Sequence, residues 1–377
     1  MPKDAATIGA AVRRARPGDL VLVSPGTYRE SVTVETPRLT LRGTSRADVV
    51  VDGEARRGDG IVVRAPGVAV QNLTVRDHIR DGVLVTGGPF LVSHVTAVNN
   101  RRHGVSALSA DDGVIEHSYA SGSAGAGFSV GRCGPCDVVV REDIAERDAV
   151  GFEGTNASDG LVVAGNRLVG NRVGLTTDSD DRERLAPQRG AVVVGNLIAA
   201  NDERATPAAA DGAFGVGAGI RGGMGNKLLR NRVVANRAAG VLVTSTGDLA
   251  PVDNHIVGNR LAANGNDVVF AATVGAPGRG NCLADNVLET TSPDGLVAAV
   301  GCPAGDTRSP SAAMPDFAAP PGVPSAKVEE PPAQPQLPDA STAGPTAVPA
   351  EPAVVDVDGT RVPPTSLLAR TAAVEVR

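Results

Sequence analysis

NRLVGN, at residues 166–171, is the first clear copy of a motif, Asn-x-hydrophobic-x-x-Asn, that recurs along the second half of the chain. Further copies read NLIAAN at 196–201, NRVVAN at 231–236 and NRLAAN at 259–264, and Asn286 starts a fading fifth copy. Asn tolerates the left-handed backbone conformation, and its amide can bond to a neighbour stacked above it. The motif therefore predicts one turn position that is repeated from coil to coil.

A second repeat is a glycine followed by an apolar residue. Its copies are GIVV from 60, GVLV from 82, GVSA from 104, GFSV from 127, GFEG from 151 and GLTT from 174, at spacings of 22, 22, 23, 24 and 23 residues. This period is too short for a helical repeat, and the consensus of a leucine-rich repeat is missing. The pattern indicates a parallel β-solenoid with about three short strands in each coil and about 4.8 Å between coils.

The chain divides after Cys302. Residues 5–16 read as a short amphipathic helix that would cover the open end of a solenoid, and Pro17 and Gly18 end it. Residues 303–377 hold 15 of the 27 prolines, so we expect a Pro/Ala-rich tail that is mostly disordered or extended. The predicted domains are an all-β solenoid of about ten to twelve coils over 1–302 and this tail over 303–377.

Composition narrows the classes of function. The net charge is −6, so we do not expect a broad basic surface that binds nucleic acid. No run approaches the roughly 18 apolar residues of a membrane helix, and we expect a monomer without a transmembrane segment. Aromatic residues make up 2% of the chain and Trp is absent, so few side chains are available for stacking on neutral sugars in a cleft. An acidic polysaccharide held by arginine needs no such stacking.

The four cysteines fall into a close pair, Cys133 and Cys136, and a separated pair, Cys282 and Cys302. Two local pairs are typical of two disulfides and of an oxidising compartment. We therefore expect a secreted or envelope-associated protein. Because no leader is recognisable before residue 10, the cytoplasm is the alternative.

The close pair spells CGPC, the redox motif of thioredoxins. In a thioredoxin the motif opens a helix, which lowers the pKa of the first cysteine. Here GFSVG precedes it and DVVVREDIA follows it, and both flanks read as strands. We predict a structural disulfide, or a reduced pair, in a turn between strands. No nearby residues complete a tetrahedral zinc site.

The N-terminal coils resemble right-handed parallel β-helix proteins of the pectin-lyase-like superfamily. The resemblance rests on TIGAAVRRARPGDLVLVSPGTYRESVTV at 7–34, LTLRG at 39–43 and VVVDG at 49–53. Later coils are similar to exported β-helix proteins of high-GC Gram-positive bacteria, in the CGPC pair, GTN at 154–156, PQRGA at 187–191 and GNCLADN at 280–286. The resemblance covers about residues 5–302 and implies the fold. It leaves the activity open, because such proteins include lyases, hydrolases, epimerases and non-enzymes.

Side-chain alternation along the glycine-led strands assigns an inward and an outward face. The predicted inward stack is Ile61, Val83, Val105, Phe128, Phe152 and Leu175. The outward face then carries Asp81 and His103 on adjacent coils, with Glu153 and Asp178 on later coils. These four are the candidate catalytic residues.

Each candidate has a chemical role to offer. Asp81 and His103 read as an oriented base. Glu153 and Asp178 read as paired carboxylates or as Ca²⁺ ligands, and Ca²⁺ is the one cofactor under consideration. Asn156 and Arg189 are candidate substrate contacts, with Arg189 placed to neutralise a substrate carboxylate. The plain alternative is that these polar columns only satisfy turns and form surface ion pairs.

Two classes of function stay open. The first is an exported protein that binds or modifies an acidic polysaccharide by lyase, epimerase or hydrolase chemistry. The second is a non-catalytic envelope scaffold that binds protein or wall polymer. An enzyme should gather the four candidates around one groove walled by 176–190 or 202–223, whereas a scaffold should leave them spread and solvated.

Overall fold

Short strands wind into two parallel sheets in this computed structural model, which describes residues 5–349 and 354–370. The strands are β1 (Leu20–Val23), β2 (Gly26–Tyr28), β3 (Val32–Val34), β4 (Thr40–Gly43), β5 (Val49–Asp52), β6 (Ile61–Val63), β7 (Val68–Arg76), β8 (Val83–Val85), β9 (Phe90–Val98), β10 (Val105–Leu108), β11 (Asp112–Glu116), β12 (Tyr119–Ser121), β13 (Ala126–Cys133), β14 (Asp137–Arg141), β15 (Ile144–Glu146), β16 (Val150–Ala157), β17 (Val162–Ala164), β18 (Arg167–Val169), β19 (Val173–Asp178), β20 (Val192–Val194), β21 (Leu197–Ala199), β22 (Val216–Arg221), β23 (Lys227–Leu229), β24 (Arg232–Val234), β25 (Ala239–Thr244), β26 (His255–Val257), β27 (Arg260–Ala262), β28 (Val268–Ala271), β29 (Cys282–Ala284) and β30 (Thr291–Ser292).

Each coil contributes one strand to an eleven-stranded sheet and about two to a nineteen-stranded sheet. The eleven-stranded sheet consists of β3, β6, β8, β10, β13, β16, β19, β22, β25, β28 and β30. Every pairing between named strands is parallel, since each strand lies on its equivalent one coil away. The chain is thus a right-handed parallel β-helix of about eleven coils, as the two repeats predict.

The predicted inward stack forms the core of this sheet. Ile61 pairs with Val83, Val83 with Val105, and Val105 with Phe128. Phe128 then pairs with Phe152, which pairs with Leu175. All six side chains are fully buried in one aliphatic core that continues through the nineteen-stranded sheet. The alternation prediction is therefore confirmed for this sheet, and its outward column carries the candidate site.

Asparagine ladders fill the turns of the later coils. The ladders run through Asn166, Asn196, Asn231, Asn259 and Asn286; through Asn171, Asn201, Asn236 and Asn264; and through Asn226, Asn254 and Asn281. Most of these amides donate to the carbonyl oxygen of the next amide and also to a backbone carbonyl, as for Asn196 with Asn231 at 3.0 Å and with Val163 at 2.9 Å. The stacking prediction is confirmed.

The ladder asparagines do not adopt the left-handed conformation that the motif suggests. The residue in the left-handed conformation is the one before each ladder asparagine, for example Gly165 with φ of 67° and Ala200 with φ of 50°. The ladder asparagines themselves keep negative φ values. Asparagine is therefore needed for its amide, which supplies both a donor and an acceptor at a buried turn.

A short helix, α1 (Ile8–Arg14), covers the N-terminal end within the predicted span of 5–16. Its first turn is capped by Thr7 and by Glu30, whose carboxylate accepts from the backbone N–H groups of Ile8 and Gly9 at 2.7 and 2.9 Å. Ile8 and Val12 are buried against the first coil. A second helix, α2 (Leu296–Ala299), lies near the other end. No helix in the described residues is long and apolar enough to span a bilayer.

The tail, residues 303–377, has little regular structure where it is described. It forms two short 3-10 helices, at Ser325–Lys327 and Thr365–Arg370, and otherwise extends along the outside of the solenoid. Buried Arg42 donates to the carbonyl oxygens of Ala343 and Gly344, near the opposite end of the solenoid from Cys302. The division at Cys302 and the disorder of the tail stay predictions, but these described segments lie against the solenoid.

Both cysteine pairs form disulfides. Cys133 and Cys136 close the turn between β13 and β14, with their Cα atoms 4.8 Å apart, and both are buried. No helix follows the CGPC motif, so its setting is not that of a thioredoxin. Cys282 and Cys302 join β29 to the segment that leaves the last coil, with their Cα atoms 5.0 Å apart.

Candidate functional site

Asp81 is the buried centre of the site. It precedes β8 on the outer side of the eleven-stranded sheet, and its side chain has no exposed surface. The carboxylate accepts hydrogen bonds from the Arg102 guanidinium at 2.5 and 2.8 Å and from the Ser106 hydroxyl at 2.9 Å. Burial opposes ionisation, but bonds from His103 and Arg102 outweigh it and hold the pKa of Asp81 at about 2. Asp81 can therefore orient other groups but cannot touch a substrate itself.

His103 lies between two carboxylates. Its Nδ1 is 3.1 Å from Asp81 Oδ1, and its Nε2 is 3.6 Å from Glu153 Oε2. Burial alone would lower the pKa of His103, but the two carboxylates outweigh burial and raise it to about 9. The imidazole is thus protonated at neutral pH. A protonated imidazole is a proton donor, so these contacts favour that role over the oriented base predicted from the sequence.

Glu153 and Asp178 line one cavity of about 120 Å³ on the outer face of this sheet. Glu153 is half-buried in β16, and Asp178 ends β19 on the next coil, where it pairs in register with Thr155. The other residues of the wall are Ala124, Gly125, Val150, Val173, Thr176, Ala210, Asp211 and Arg221. Gly125 also packs on His103, since a Cβ there would be 2.8 Å from the imidazole ring. Asp81, His103, Glu153 and Asp178 therefore follow one another along a single face.

The environment of Asp178 favours the protonated form of its carboxyl group. Burial and, to a smaller extent, Glu153 raise the pKa of its carboxyl to about 7, although the Arg221 guanidinium opposes the shift. Its Oδ1 has no hydrogen-bond partner, and its Oδ2 is 3.8 Å from Arg221. A carboxyl group with such a pKa is substantially protonated at neutral pH, which is the condition for general acid catalysis.

Arg221 and Asp211 belong to this site but were missed in the sequence. Arg221 ends β22 and pairs in register with Asp178, so it continues the same outward column by one coil. The 35-residue interval from Asn196 to Asn231 hides this register in the sequence. Asp211 comes from the extra residues of that coil and forms an ion pair with Arg221. The predicted 202–223 segment does wall the site.

Asn156, a predicted substrate contact, is fully buried. Its amide donates to the Asp180 carbonyl oxygen and to the Glu183 carboxylate, both at 3.0 Å, and its Oδ1 accepts from the Asp180 N–H. It also has a left-handed φ of 48°. These bonds fix the start of the 176–190 loop, so Asn156 has no free group for a substrate. Its part is to shape a loop.

Arg189 does not join the cavity. It precedes β20 in the nineteen-stranded sheet, and its guanidinium is 2.6 Å from Asp159. Both side chains are about half exposed. Among the described residues, no hydrogen bond or ion pair connects Arg189 with Glu153 or Asp178. The guanidinium that faces the cavity is that of Arg221 instead.

No group of three or more His, Cys, Asp or Glu side chains within residues 5–349 and 354–370 is arranged to hold a metal ion. The candidate Ca²⁺ ligands Glu153 and Asp178 share their cavity with the Arg221 cation. A guanidinium between carboxylates occupies the place that a cation would take. The residues of this cavity therefore do not fit the Ca²⁺ site proposed from sequence.

Comparisons with known proteins agree with this architecture. Residues 59–261, more than half of the chain, match the family described as right-handed β-helix region. The chain belongs to this family of β-helix proteins. No curated protein sequence matches the chain.

Solved structures share the fold at low sequence identity. The A-module of the Azotobacter vinelandii mannuronan C-5 epimerase AlgE6 has a TM-score of 0.52 and 17% identity, over 75% of this chain and 89% of that one. Tailspike protein 2 of the Escherichia coli O157:H7 bacteriophage CAB120 has a TM-score of 0.50 and 8% identity, over 72% of this chain and 39% of that one. At these identities the likeness establishes the fold alone.

Proposed function

We propose that the chain binds an acidic polysaccharide across the outer face of the eleven-stranded sheet and modifies it by proton transfer at the cavity. One observation carries the proposal: Glu153, Asp178 and Arg221 line the same cavity, and the Nε2 atom of His103 is 3.6 Å from the Glu153 carboxylate. This set offers a carboxylate, an acid and a guanidinium to one ligand. Asp81 acts through His103 as a positioning residue.

The set fits chemistry at the carbon next to a uronate carboxylate. Arg221 would bind that carboxylate and make the neighbouring C5–H bond more acidic. Glu153 would accept the C5 proton, and the imidazolium of His103 would stabilise the site as that proton moves. For elimination, the C4–O bond breaks with its electrons on oxygen, and Asp178 delivers a proton to it. For epimerisation, Asp178 delivers a proton to the other face of C5, and the C4–O bond stays intact.

The choice of uronates rests on further support. One solved structure with this fold is the A-module of a mannuronan C-5 epimerase, which supports uronates as the substrate class. The low aromatic content favours a charged over a stacked sugar. The two disulfides support an oxidising compartment, and thus export to the cell surface or beyond.

A second candidate, a non-catalytic scaffold, is favoured by the size of the cavity. A volume of about 120 Å³ is well below the roughly 300–1,000 Å³ of typical ligand pockets. A scaffold would bind polymer or protein on the flat strand faces and would have no use for the acid.

The test is deuterium incorporation at C5. The full chain is incubated in D₂O with polymannuronate, polygalacturonate or polyglucuronate, and NMR follows both C5 labelling and unsaturated products. Glu153→Gln and Asp178→Asn are compared with Glu35→Gln, which removes an exposed carboxylate paired with Arg64. The proposal expects turnover in the wild type and in Glu35→Gln, and its loss in both cavity variants. Binding without turnover would favour the scaffold. The absence of both binding and turnover would overturn the proposal that the chain acts on a polysaccharide.

A further inference from the structure

The cavity is covered on one side by residues 202–215, which we name the cover loop. This loop connects the coil of Asn201 to β22 and places Ala210 and Asp211 in the cavity wall. The Asp211 carboxylate forms an ion pair with Arg221 that is closer than the 3.8 Å between Arg221 and Asp178. Asp211 thus occupies the guanidinium that would otherwise face an anionic ligand.

Arg172 fastens the cover loop to the tail. Its buried guanidinium donates to the Thr206 hydroxyl at 2.9 Å and stacks over the Phe214 ring, 5.5 Å from its centre. The same guanidinium donates to the carbonyl oxygens of Pro320 and Pro321 at 2.8 and 2.9 Å. Proline has no backbone N–H, so an extended proline-rich segment offers free carbonyls to such a donor. Arg172 therefore needs both the loop and the tail to satisfy its donors.

Two direct contacts join the tail to the loop. The Val323 N–H donates to the Thr206 carbonyl oxygen at 2.9 Å. Gly322 lies so close to Ala208 that a Cβ on Gly322 would be 2.2 Å from the Ala208 backbone nitrogen. Phe317 packs on the apolar cluster that contains Val173, a residue of the cavity wall. Residues 316–323 thus contact both the cover loop and the apolar cluster beside the cavity.

We propose that residues 316–323, the latch, keep the cover loop closed, and that Asp211 takes the place on Arg221 of a substrate carboxylate. The second half rests on the proposed function; the first does not. Displacement of the latch breaks the bonds of Arg172 and Val323, frees the loop and withdraws Asp211 from Arg221. The small cavity then becomes an open groove in which the guanidinium beside Asp178 is free. The tail is in this sense an autoinhibitory segment.

The experiment compares two glycine substitutions in the full chain. Gly322→Ala forces the latch away from Ala208, whereas Gly344→Ala makes the same change in the same tail where a Cβ meets nothing within 4 Å. Circular dichroism first confirms that both fold. Hydrogen exchange then reports on residues 202–215, and carbodiimide labelling with mass spectrometry reports on access to Glu153 and Asp178. Phe317→Ser serves as a second latch variant.

The expected result is faster exchange in the cover loop and severalfold more labelling of Glu153 and Asp178 in Gly322→Ala and Phe317→Ser. Gly344→Ala should match the wild type. Exchange and labelling at wild-type levels in both latch variants would overturn the latch, whatever the substrate is.

The role of Asp211 is tested by calorimetric titration with a short oligomannuronate. Asp211→Asn and Gly322→Ala should each bind it about tenfold more tightly than the wild type, because a closed loop reduces the apparent affinity by the fraction of molecules that are open. Unchanged affinity with increased labelling would overturn the role of Asp211 and keep the latch. No binding by any variant would count against the proposed substrate, while the labelling result still decides on the latch.

Discussion

The asparagine ladders of the later coils can be compared with the outward-facing set Asp81, His103, Glu153 and Asp178, which we name the acidic column. Both stack polar groups on adjacent coils of the same solenoid. An amide has a donor and an acceptor, so each asparagine satisfies the next one, as Asn196 does with Asn231. A carboxylate has only acceptors, so a column of acids needs a cation or a proton between its members. The ladder is consequently neutral, and the column carries charge that chemistry can use.

Asp143 and Asp148 mark the boundary between the two regions. They precede Asn166 and Asn171 in their ladders, and the backbone N–H of each donates to the oxygen of that amide at 2.9 and 3.0 Å. Both are fully buried, and the Oδ2 atom of each has no partner. Burial raises the pKa of Asp148 to about 8 and the pKa of Asp143 well above its usual range. A carboxyl group that stays protonated there is uncharged, as the amides of the ladder are.

The largest expected effect comes from breaking the ladder at its centre. Asn196→Ala removes an amide that bonds to Val163, Asn166 and Asn231 in a fully buried turn. We expect the free energy of unfolding to fall by about 3–5 kcal/mol, since several buried groups lose their partners. Urea unfolding measures it. Asn286→Ala, at the half-exposed end of the same ladder, should cost clearly less, and equal losses would contradict the ladder as a chain of mutual bonds.

The second-largest effect is expected when a boundary aspartate is replaced by asparagine, the residue type of the ladder. Asp148→Asn should raise the free energy of unfolding above pH 8 by about 1–3 kcal/mol, because the amide is uncharged, whereas the buried carboxyl group must ionise there. The folded-state pKa is raised, so the folded wild type binds the extra proton and becomes less stable as pH rises between about 4 and 8. The variant should show a shallower slope, because Asp143 and Asp178, whose pKa values are also raised, still contribute to it.

Thermal unfolding across that pH range gives the measurement. Asp294→Asn is the matched control, because Asp294 is exposed. It should keep the wild-type slope. A wild-type protein whose stability rises with pH through this window would show that Asp148 is ionised in the fold.

A smaller effect tests the charge in the acidic column. Glu153→Gln removes one of the two carboxylates beside His103 and should lower the pKa of its imidazole by about one unit from about 9. NMR titration of the ring protons measures this. Glu142→Gln removes the carboxylate beside His117 and should leave the His103 titration unchanged. An ordinary pKa for His103 in the wild type would mean that the column is not assembled as described.

The smallest effect is expected away from both regions. Arg189→Ala breaks an ion pair with Asp159 in which both side chains are about half exposed. We expect a change below about 0.5 kcal/mol in unfolding and no change in turnover of any uronate polymer. A large loss of turnover would indicate that Arg189 contacts the substrate and would contradict the proposal that Arg221 binds the substrate carboxylate.

The sequence allowed the fold and the core column to be predicted, because both follow from local spacing. Glycine-led repeats 22 to 24 residues apart place Val83 on Ile61 and Phe152 on Phe128, and the pairings are as expected. The stacked amides were equally visible, because identical residues at one turn position repeat their motif.

The site was harder to predict, because its decisive contacts depend on irregular segments. Arg221 lies beyond a coil of unusual length, so its register could not be counted from the sequence. Asp211 comes from an insertion with no repeat to align it. The buried side chain of Asp81 and the two carboxylates around His103 depend on burial, which residue type alone does not reveal.

The tail also has a consequence for how the molecule unfolds. In a solenoid each coil contacts only its neighbours, so the ends can unravel while the middle stays folded. Here Thr346 donates to Thr40 across 306 residues, while Ser309 donates to Gly278 in one of the last coils. One continuous segment therefore links first coils to last, and fraying at either end must break contacts that involve the other. We expect a cooperative transition where a bare solenoid would melt in steps, and slow folding because these contacts are so distant in sequence.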